Sequence, residues 1–207
     1  LYPMFLVTDN GVRMSRTLFV KQLTKGKAGE VGFSEMGRSH WDEVYDYTDH
    51  TMWKEVQEKG IDFGFKNKTW SSEIAVDVKS NFYYSEYNKG FQFDIEYSKW
   101  HPSKFHLHNR KEEVGWIQDS QANRIYHMEI VKENNNWVAT ESYVYYDLDE
   151  MRSFIYREWD RPNYTNWIKK IAYIGTVQSD YTHLIPVRLD DERFKHLIRK
   201  VHYVKTR

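Results

Sequence analysis

Two short segments with alternating apolar and polar side chains constrain this chain more than any other feature. Residues 61–66 and 73–79 alternate in this way, and Lys66, Asn67 and Lys68 supply a turn between them. Alternation with a period of two is typical of strands with one buried face. We therefore predict two neighbouring strands joined by a turn, around which the rest of the chain is organised.

Charged side chains mark one face of the second predicted strand. Asp77 and Lys79 are two residues apart, so both point to the side of the sheet that Ala75 also faces. The opposite face carries aliphatic side chains, those of Ile74, Val76 and Val78. Asp62, at the start of the first strand, can reach the same end of the hairpin. A carboxylate and an ammonium group thus stand side by side, with a second carboxylate within reach.

This combination of groups suits the hydrolysis of a phosphodiester with Mg²⁺. Mg²⁺ prefers one or two carboxylates and keeps several water ligands. Asp62 and Asp77 could supply these oxygens, and the carbonyl of Val78 could supply a third. Lys79 could position or help deprotonate the attacking water and offset charge on the phosphate. The alternative interpretation is a salt-bridged strand end in an ordinary sheet.

In these motifs the sequence resembles the PD-(D/E)XK nuclease superfamily, which includes restriction endonucleases, resolvases and many phage nucleases. Ile61-Asp62 matches the first acidic site, and Asp77-Val78-Lys79 matches the second acid and the lysine. Residues 29–33 are similar to the helix that carries the additional acid, here Glu30. Residues 115–122 and 124–128 are similar to a segment in which a helix leads into a fourth core strand. The resemblance covers roughly residues 25–132.

Two positions depart from the pattern that gives the superfamily its name. Ile61 stands where proline would be, and Asp77 stands where Glu is commoner. Within the predicted helix, Glu35 is the alternative to Glu30 as the additional acid, and we favour Glu30. Either residue could instead be an ordinary acid on the helix surface.

The resemblance implies an α/β (α+β) fold with a restriction-endonuclease-like core. In this fold a central mixed sheet is flanked by helices, here with an added hairpin and C-terminal elements. We expect one domain over residues 1–207, with a core of about 25–132 and an extension of about 133–207.

The resemblance also implies an activity, a metal-dependent endonuclease that hydrolyses phosphodiester bonds, with DNA as a likelier substrate than RNA. Asp62, Asp77, Lys79 and Glu30 would be catalytic. Asp62, Asp77, Val78 and Glu30 would bind Mg²⁺ or Mn²⁺, and Glu30 would bind a second metal or orient water. Many relatives act as homodimers, so a dimer is one option. The alternative is an inactive nuclease-fold protein that binds nucleic acid or another protein.

The most basic stretch of the chain, residues 99–111, is the predicted nucleic-acid contact. Lys99, Lys104, Arg110 and Lys111 are interleaved there with aromatic residues, a pattern suited to a nucleic-acid backbone. An ordinary surface loop is the alternative interpretation, and we place it slightly ahead. A zinc site is a weaker one, because His106 and His108 have only the distant His101 as a third ligand.

Composition excludes some classes of function. The 30 basic and 30 acidic residues give no net charge, so nucleic-acid binding would need a local basic patch. Cysteine is absent, which excludes disulfides, Cys-based zinc sites and thiol nucleophiles. No apolar run is long enough to span a membrane, and we expect a cytoplasmic protein without a signal peptide. Gly-rich phosphate loops, zinc-protease helices and nucleophile elbows are also missing from the sequence.

Periodicity and turn residues predict the remaining elements. Strands are expected at 4–8, 17–23, 42–48, 91–97, 124–131, 137–140, 143–146 and 167–178, the last as one or two strands. Helices are expected at 28–39, 113–122, 148–159 and 191–201, and a loop or short helix at 49–60.

Overall fold

The computed structural model describes residues 5–7, 13–82, 92–100, 113–161, 166–177 and 180–202. The helices are α1 (Arg16–His40), α2 (His50–Gln57), α3 (Trp116–Asp119), α4 (Leu148–Trp159) and α5 (Trp167–Ile171). The first strands are β1 (Phe5–Val7), β2 (Arg13–Ser15), β3 (Glu43–Asp46), β4 (Phe63–Lys66), β5 (Ile74–Phe82) and β6 (Gln92–Trp100). The others are β7 (Glu113–Val114), β8 (Arg124–Glu133), β9 (Asn136–Asp147), β10 (Tyr173–Val177), β11 (Asp180–Arg188) and β12 (Arg199–His202).

A mixed six-stranded sheet forms the centre of the fold, with the strand order β12-β9-β8-β5-β4-β3. Strands β5 and β8 are parallel, and the other neighbours in this sheet are antiparallel. The chain between β5 and β8 includes β6, β7 and α3. The predicted α+β fold with a central mixed sheet is therefore confirmed.

A smaller sheet packs against one face of the central sheet, with the order β10-β11-β6-β7. Its strand β6 corresponds to the strand predicted at 91–97. None of the helices in the described part of the chain is long and apolar enough to cross a membrane.

Helix α1 lies close to one face of the central sheet because glycine residues, which have no side chain, form the contact. A Cβ atom at Gly29 would overlap the Ser80 side chain, and one at Gly32 would overlap the side chain of Ala139. This approach buries Phe33 in a cluster against the sheet. The other members of that cluster are Met36, Phe63, Phe65, Val76, Val78, Tyr126, Met128 and Tyr143.

The opposite face of the sheet packs against β6, β11, α3 and α4 through a second, larger cluster. Helix α4 has the predicted bounds, and the Asp147 side chain accepts hydrogen bonds from the N–H groups of Asp149 and Glu150 at its start. The cluster includes Phe93, Ile95, Ile117, Ile125, Tyr146, Met151, Ile155 and Ile185. The site described below lies on this face.

Two predicted strands are helical instead. Residues 17–23 belong to α1, which begins at Arg16, twelve residues before the predicted helix at 28–39. Residues 167–171 form α5, where Asn166 caps the helix, and β10 follows from Tyr173. Short apolar runs do not distinguish strand from helix by period alone, and in both places the neighbouring elements decide.

Two predicted helices are wrong in extent or type. The helix expected at 113–122 spans only Trp116–Asp119, and it follows the short strand β7. The helix expected at 191–201 does not form: residues 192–197 form turns, and strand β12 follows from Arg199. Phe194, Leu197 and Ile198 are nevertheless buried, so their helical spacing indicates core positions without fixing a helix.

Candidate active site

Asp77 and Lys79 form an ion pair on the α3 side of β5. Lys79 Nζ lies 2.7 Å from Asp77 Oδ1. The Asp77 side chain is 2% exposed, whereas the Lys79 side chain is 32% exposed. The carboxylate is therefore buried, whereas the Lys79 side chain is partly exposed.

Asp62 lies at the same end of the hairpin, immediately before β4. Its N–H donates to Val76 O at 2.8 Å, and its carbonyl accepts from Tyr47 N–H at 2.9 Å. Strand β4 begins at Phe63, and the carboxylate of Asp62 accepts the Val78 N–H through Oδ2 at 2.8 Å. Backbone contacts on both sides thus fix the Asp62 carboxylate beside the segment that carries Asp77.

The surroundings of the two carboxylates favour a positive ligand. Burial and the charge of Asp77 raise the pKa of Asp62 to about 7, although Lys79 and the Val78 N–H oppose the shift. Asp77 Oδ2 is buried without a hydrogen-bond partner among the described residues. Unpartnered buried oxygens are uncommon in native structures and are often explained by an ion or a water. Two carboxylates with one open oxygen fit Mg²⁺ or Mn²⁺, which keep several water ligands.

Lys79 carries its positive charge in an enclosed position. Burial works to lower the pKa of Lys79, but the charges of Asp77, Asp62 and Glu96 outweigh it and raise the pKa. The ammonium also lies over the Trp116 ring, 5.3 Å from its centroid. A lysine held in this way suits the stabilisation of negative charge better than the removal of a proton.

Glu30 lies at the edge of the site. Its Oε2 pairs with Lys27 Nζ at 3.1 Å, and its charge contributes to the raised pKa of Asp62. Within the described residues, no three His, Cys, Asp or Glu side chains are grouped closely enough to hold a metal ion. The structure therefore brings Asp62, Asp77 and Lys79 together, with Glu30 nearby but outside their immediate group.

The other predicted site residues have less structural support. Val78 contributes its N–H to Asp62, and the role of its carbonyl as a metal ligand stays a prediction. Lys99 lies in β6, and Lys104, Arg110 and Lys111 fall outside the described residues. The nucleic-acid contact predicted for residues 99–111 is thus untested.

A hydrogen-bonded group of Asn81 and the buried residues His127 and Tyr146 lies next to Lys79 and was not predicted from sequence. His127 is opposite Lys79 in the parallel register of β5 and β8. Its Nδ1 lies 2.6 Å from Asn81 Oδ1, and its Nε2 lies 3.1 Å from the Tyr146 hydroxyl. Burial, followed by the charge of Lys79, lowers the pKa of His127 well below its ordinary value. A neutral His127 that donates to Asn81 and accepts from Tyr146 satisfies these contacts.

Two further residues near Lys79, Glu96 and Trp116, were not predicted as part of the site. Glu96 lies on β6, and its Oε1 accepts the Trp116 N–H at 3.3 Å. Trp116 lies in the helix predicted at 113–122, for which the sequence predicted a place in the core and no role at the site. Among the residues near Lys79 that sequence did not predict, His127 alone has a recognisable sequence signal, because it is a polar residue within a mostly apolar buried strand.

Comparison with known proteins found no matching family model, no matching curated protein and no matching solved structure.

Proposed function

We propose that this protein is a metal-dependent nuclease that hydrolyses phosphodiester bonds in nucleic acid with Mg²⁺ or Mn²⁺. The arrangement of three side chains carries the proposal. Asp62 and Asp77 lie at one end of a hairpin, and Lys79 Nζ lies 2.7 Å from Asp77 Oδ1. Asp77 Oδ2 has no hydrogen-bond partner among the described residues. The choice of DNA over RNA rests on the sequence resemblance alone.

In this proposal the two carboxylates hold the cation. Asp77 offers its unpartnered oxygen, and Asp62 offers the oxygen that does not accept from Val78. A divalent cation held by Asp62 and Asp77 would supply Lewis-acid chemistry: it would polarise the phosphate and lower the pKa of a water ligand. Glu30 adds negative charge near Asp62, which further favours a cation at this position.

Lys79 serves as the electrostatic partner of the phosphate. Its raised pKa keeps the amine protonated near neutral pH. The Lys79 side chain is partly exposed beside the buried Asp77 carboxylate, so its ammonium can interact with a phosphate that enters the site and offset charge that develops there. This role needs no proton transfer from Lys79.

The test is incubation of the purified protein with plasmid, single-stranded DNA and RNA, each with Mg²⁺, Mn²⁺ or a chelator. We expect cleavage that requires the metal and is lost in Asp77→Asn and Lys79→Met. Matched controls are Asp149→Asn and Lys54→Met, whose side chains are 87% and 66% exposed and which should cut normally. Wild-type cleavage by Asp77→Asn would refute the proposal.

A second candidate is a nuclease-like protein that binds without cutting. It is favoured by the position of Glu30, which does not complete a group of three acids among the described residues. A Mg²⁺-dependent rise in melting temperature that disappears in Asp62→Asn, together with no cleavage of any substrate, would select this candidate.

A further inference from the structure

We propose that Trp116 is a positioning residue that holds the Lys79 ammonium at the site. The inference rests on the proposed function and extends it to a residue outside the carboxylate pair. Lys79 Nζ lies 5.3 Å from the centroid of the Trp116 ring, within the range of a cation–π contact. Trp offers the strongest such contact among the aromatic side chains.

Helix α3, which carries Trp116, is held in place by three neighbouring segments. At its start, Gly115 N–H donates to Tyr97 O at 2.9 Å, and Trp116 N–H donates to Glu96. A Cβ atom at Gly115 would overlap the backbone of Glu96 and Tyr97, so glycine permits this contact. A four-residue helix has little stability of its own, and these contacts fix the Trp116 ring over Lys79.

The end of α3 is held equally firmly. Arg152 on α4 donates from Nε to Ile117 O at 2.7 Å and also to the carbonyls of Gln118 and Ser120. Ser120 Oγ donates to Gly60 O at 3.1 Å, two residues before Asp62. One short helix therefore connects the segment that leads into Asp62 with the ring that lies over Lys79.

Lys79 needs a second stabilising contact, because Asp77 would both pair with Lys79 and bind the cation. In the described structure Asp77 Oδ1 is the ion-pair partner of Lys79. A carboxylate that also binds a divalent cation has less negative charge to offer an ammonium. Lysine has a flexible stem, so a weakened ion pair would let Nζ move away from the site. The Trp116 face and the charge of Glu96 remain to hold it.

The kinetic test compares Trp116→Phe and Trp116→Leu with Trp137→Phe and Trp137→Leu. Trp137 is a matched control, because Lys25 Nζ lies 5.4 Å from its ring centroid and Trp137 pairs with Lys132 near the turn between β8 and β9. We expect kcat to fall about tenfold in Trp116→Leu and about threefold in Trp116→Phe, with KM unchanged. The Trp137 variants should keep wild-type kcat. Equal losses in Trp116→Phe and Trp116→Leu, or losses shared with the Trp137 variants, would show a packing role and overturn the inference.

A second readout does not depend on cleavage. Lysine Cε signals are observed by NMR after selective labelling, and the Lys79 signal is assigned by its loss in Lys79→Arg. We expect a ring-current shift at Lys79 that persists when Mg²⁺ is added and disappears in Trp116→Leu. A shift without nuclease activity would keep this inference and refute the proposed function. A Lys79 signal unchanged by Trp116→Leu would refute the inference alone.

Discussion

The two faces of strand β5 differ in how completely their groups are satisfied. On the α1 face, Val76 and Val78 pack into an aromatic cluster in which Phe33 contacts Phe63 and Tyr126 at ring-centroid distances of 4.8 and 5.0 Å. On the α3 face, Asp77 keeps a buried oxygen without a partner among the described residues. One strand thus supplies stability on one side and a strained electrostatic arrangement on the other, as expected where function competes with stability.

The largest expected effects come from substitutions that disrupt one face of strand β5 and leave the other intact. Phe33→Ala should lower the free energy of unfolding by about 3–5 kcal/mol, because it leaves a cavity under α1. Asp77→Asn should lower cleavage at least about 100-fold and destabilise the protein less than Phe33→Ala does, because relief of the charge repulsion with Asp62 partly offsets the loss of the ion pair with Lys79. Denaturant unfolding and the cleavage rate per folded molecule are measured on both variants. Loss of cleavage in folded Phe33→Ala, or strong destabilisation by Asp77→Asn, would mean that the two faces are not separable.

The pH dependence of stability should also distinguish the two faces. The pKa of Asp62 is raised from 3.8 to about 7. Between these pH values the folded state holds a proton that the unfolded state has released, so stability falls as pH rises from about 4 to about 7. The expected loss is roughly 2–4 kcal/mol, and it should stop above the folded-state pKa.

The measurement is denaturant unfolding of the wild type and Asp62→Asn at a series of pH values without metal. The difference between the two proteins isolates Asp62 from the other titrating groups. Parallel pH profiles for the two proteins would contradict the raised pKa of Asp62.

The contrast between the faces was partly predictable. Alternation in 73–79 places Asp77 and Lys79 together on one side of β5, because a strand has a period of two, and the helix predicted at 148–159 matches α4. His127, Glu96 and Trp116 could not be placed, because their position near Lys79 depends on the parallel pairing of β5 with β8 and on the packing of β6 and α3. Phe194 and Ile198 show the same limit, because their helical spacing predicted a helix at 191–201, whereas both residues are buried in or beside turns that lead into β12.

A smaller effect should follow from filling the contact between α1 and the sheet. Gly32→Ala should lower the free energy of unfolding by about 1–3 kcal/mol, because its Cβ would overlap Ala139. Gly26→Ala is the matched control in the same helix, where a Cβ would meet nothing within 4 Å. It should raise stability by about 0.5–1 kcal/mol through helix propensity. Thermal unfolding of both variants tests the close approach, and a neutral Gly32→Ala would contradict it.

The central claim is that Asp62 and Asp77 together form a site for a divalent cation. Calorimetric titration of the wild type, Asp62→Asn and Asp77→Asn with Mg²⁺ and Mn²⁺ at pH 8 tests it most directly. We expect saturable binding by the wild type that is lost in both variants and retained in Asp149→Asn. Absence of binding by the wild type, or equal binding by all four proteins, would contradict the claim.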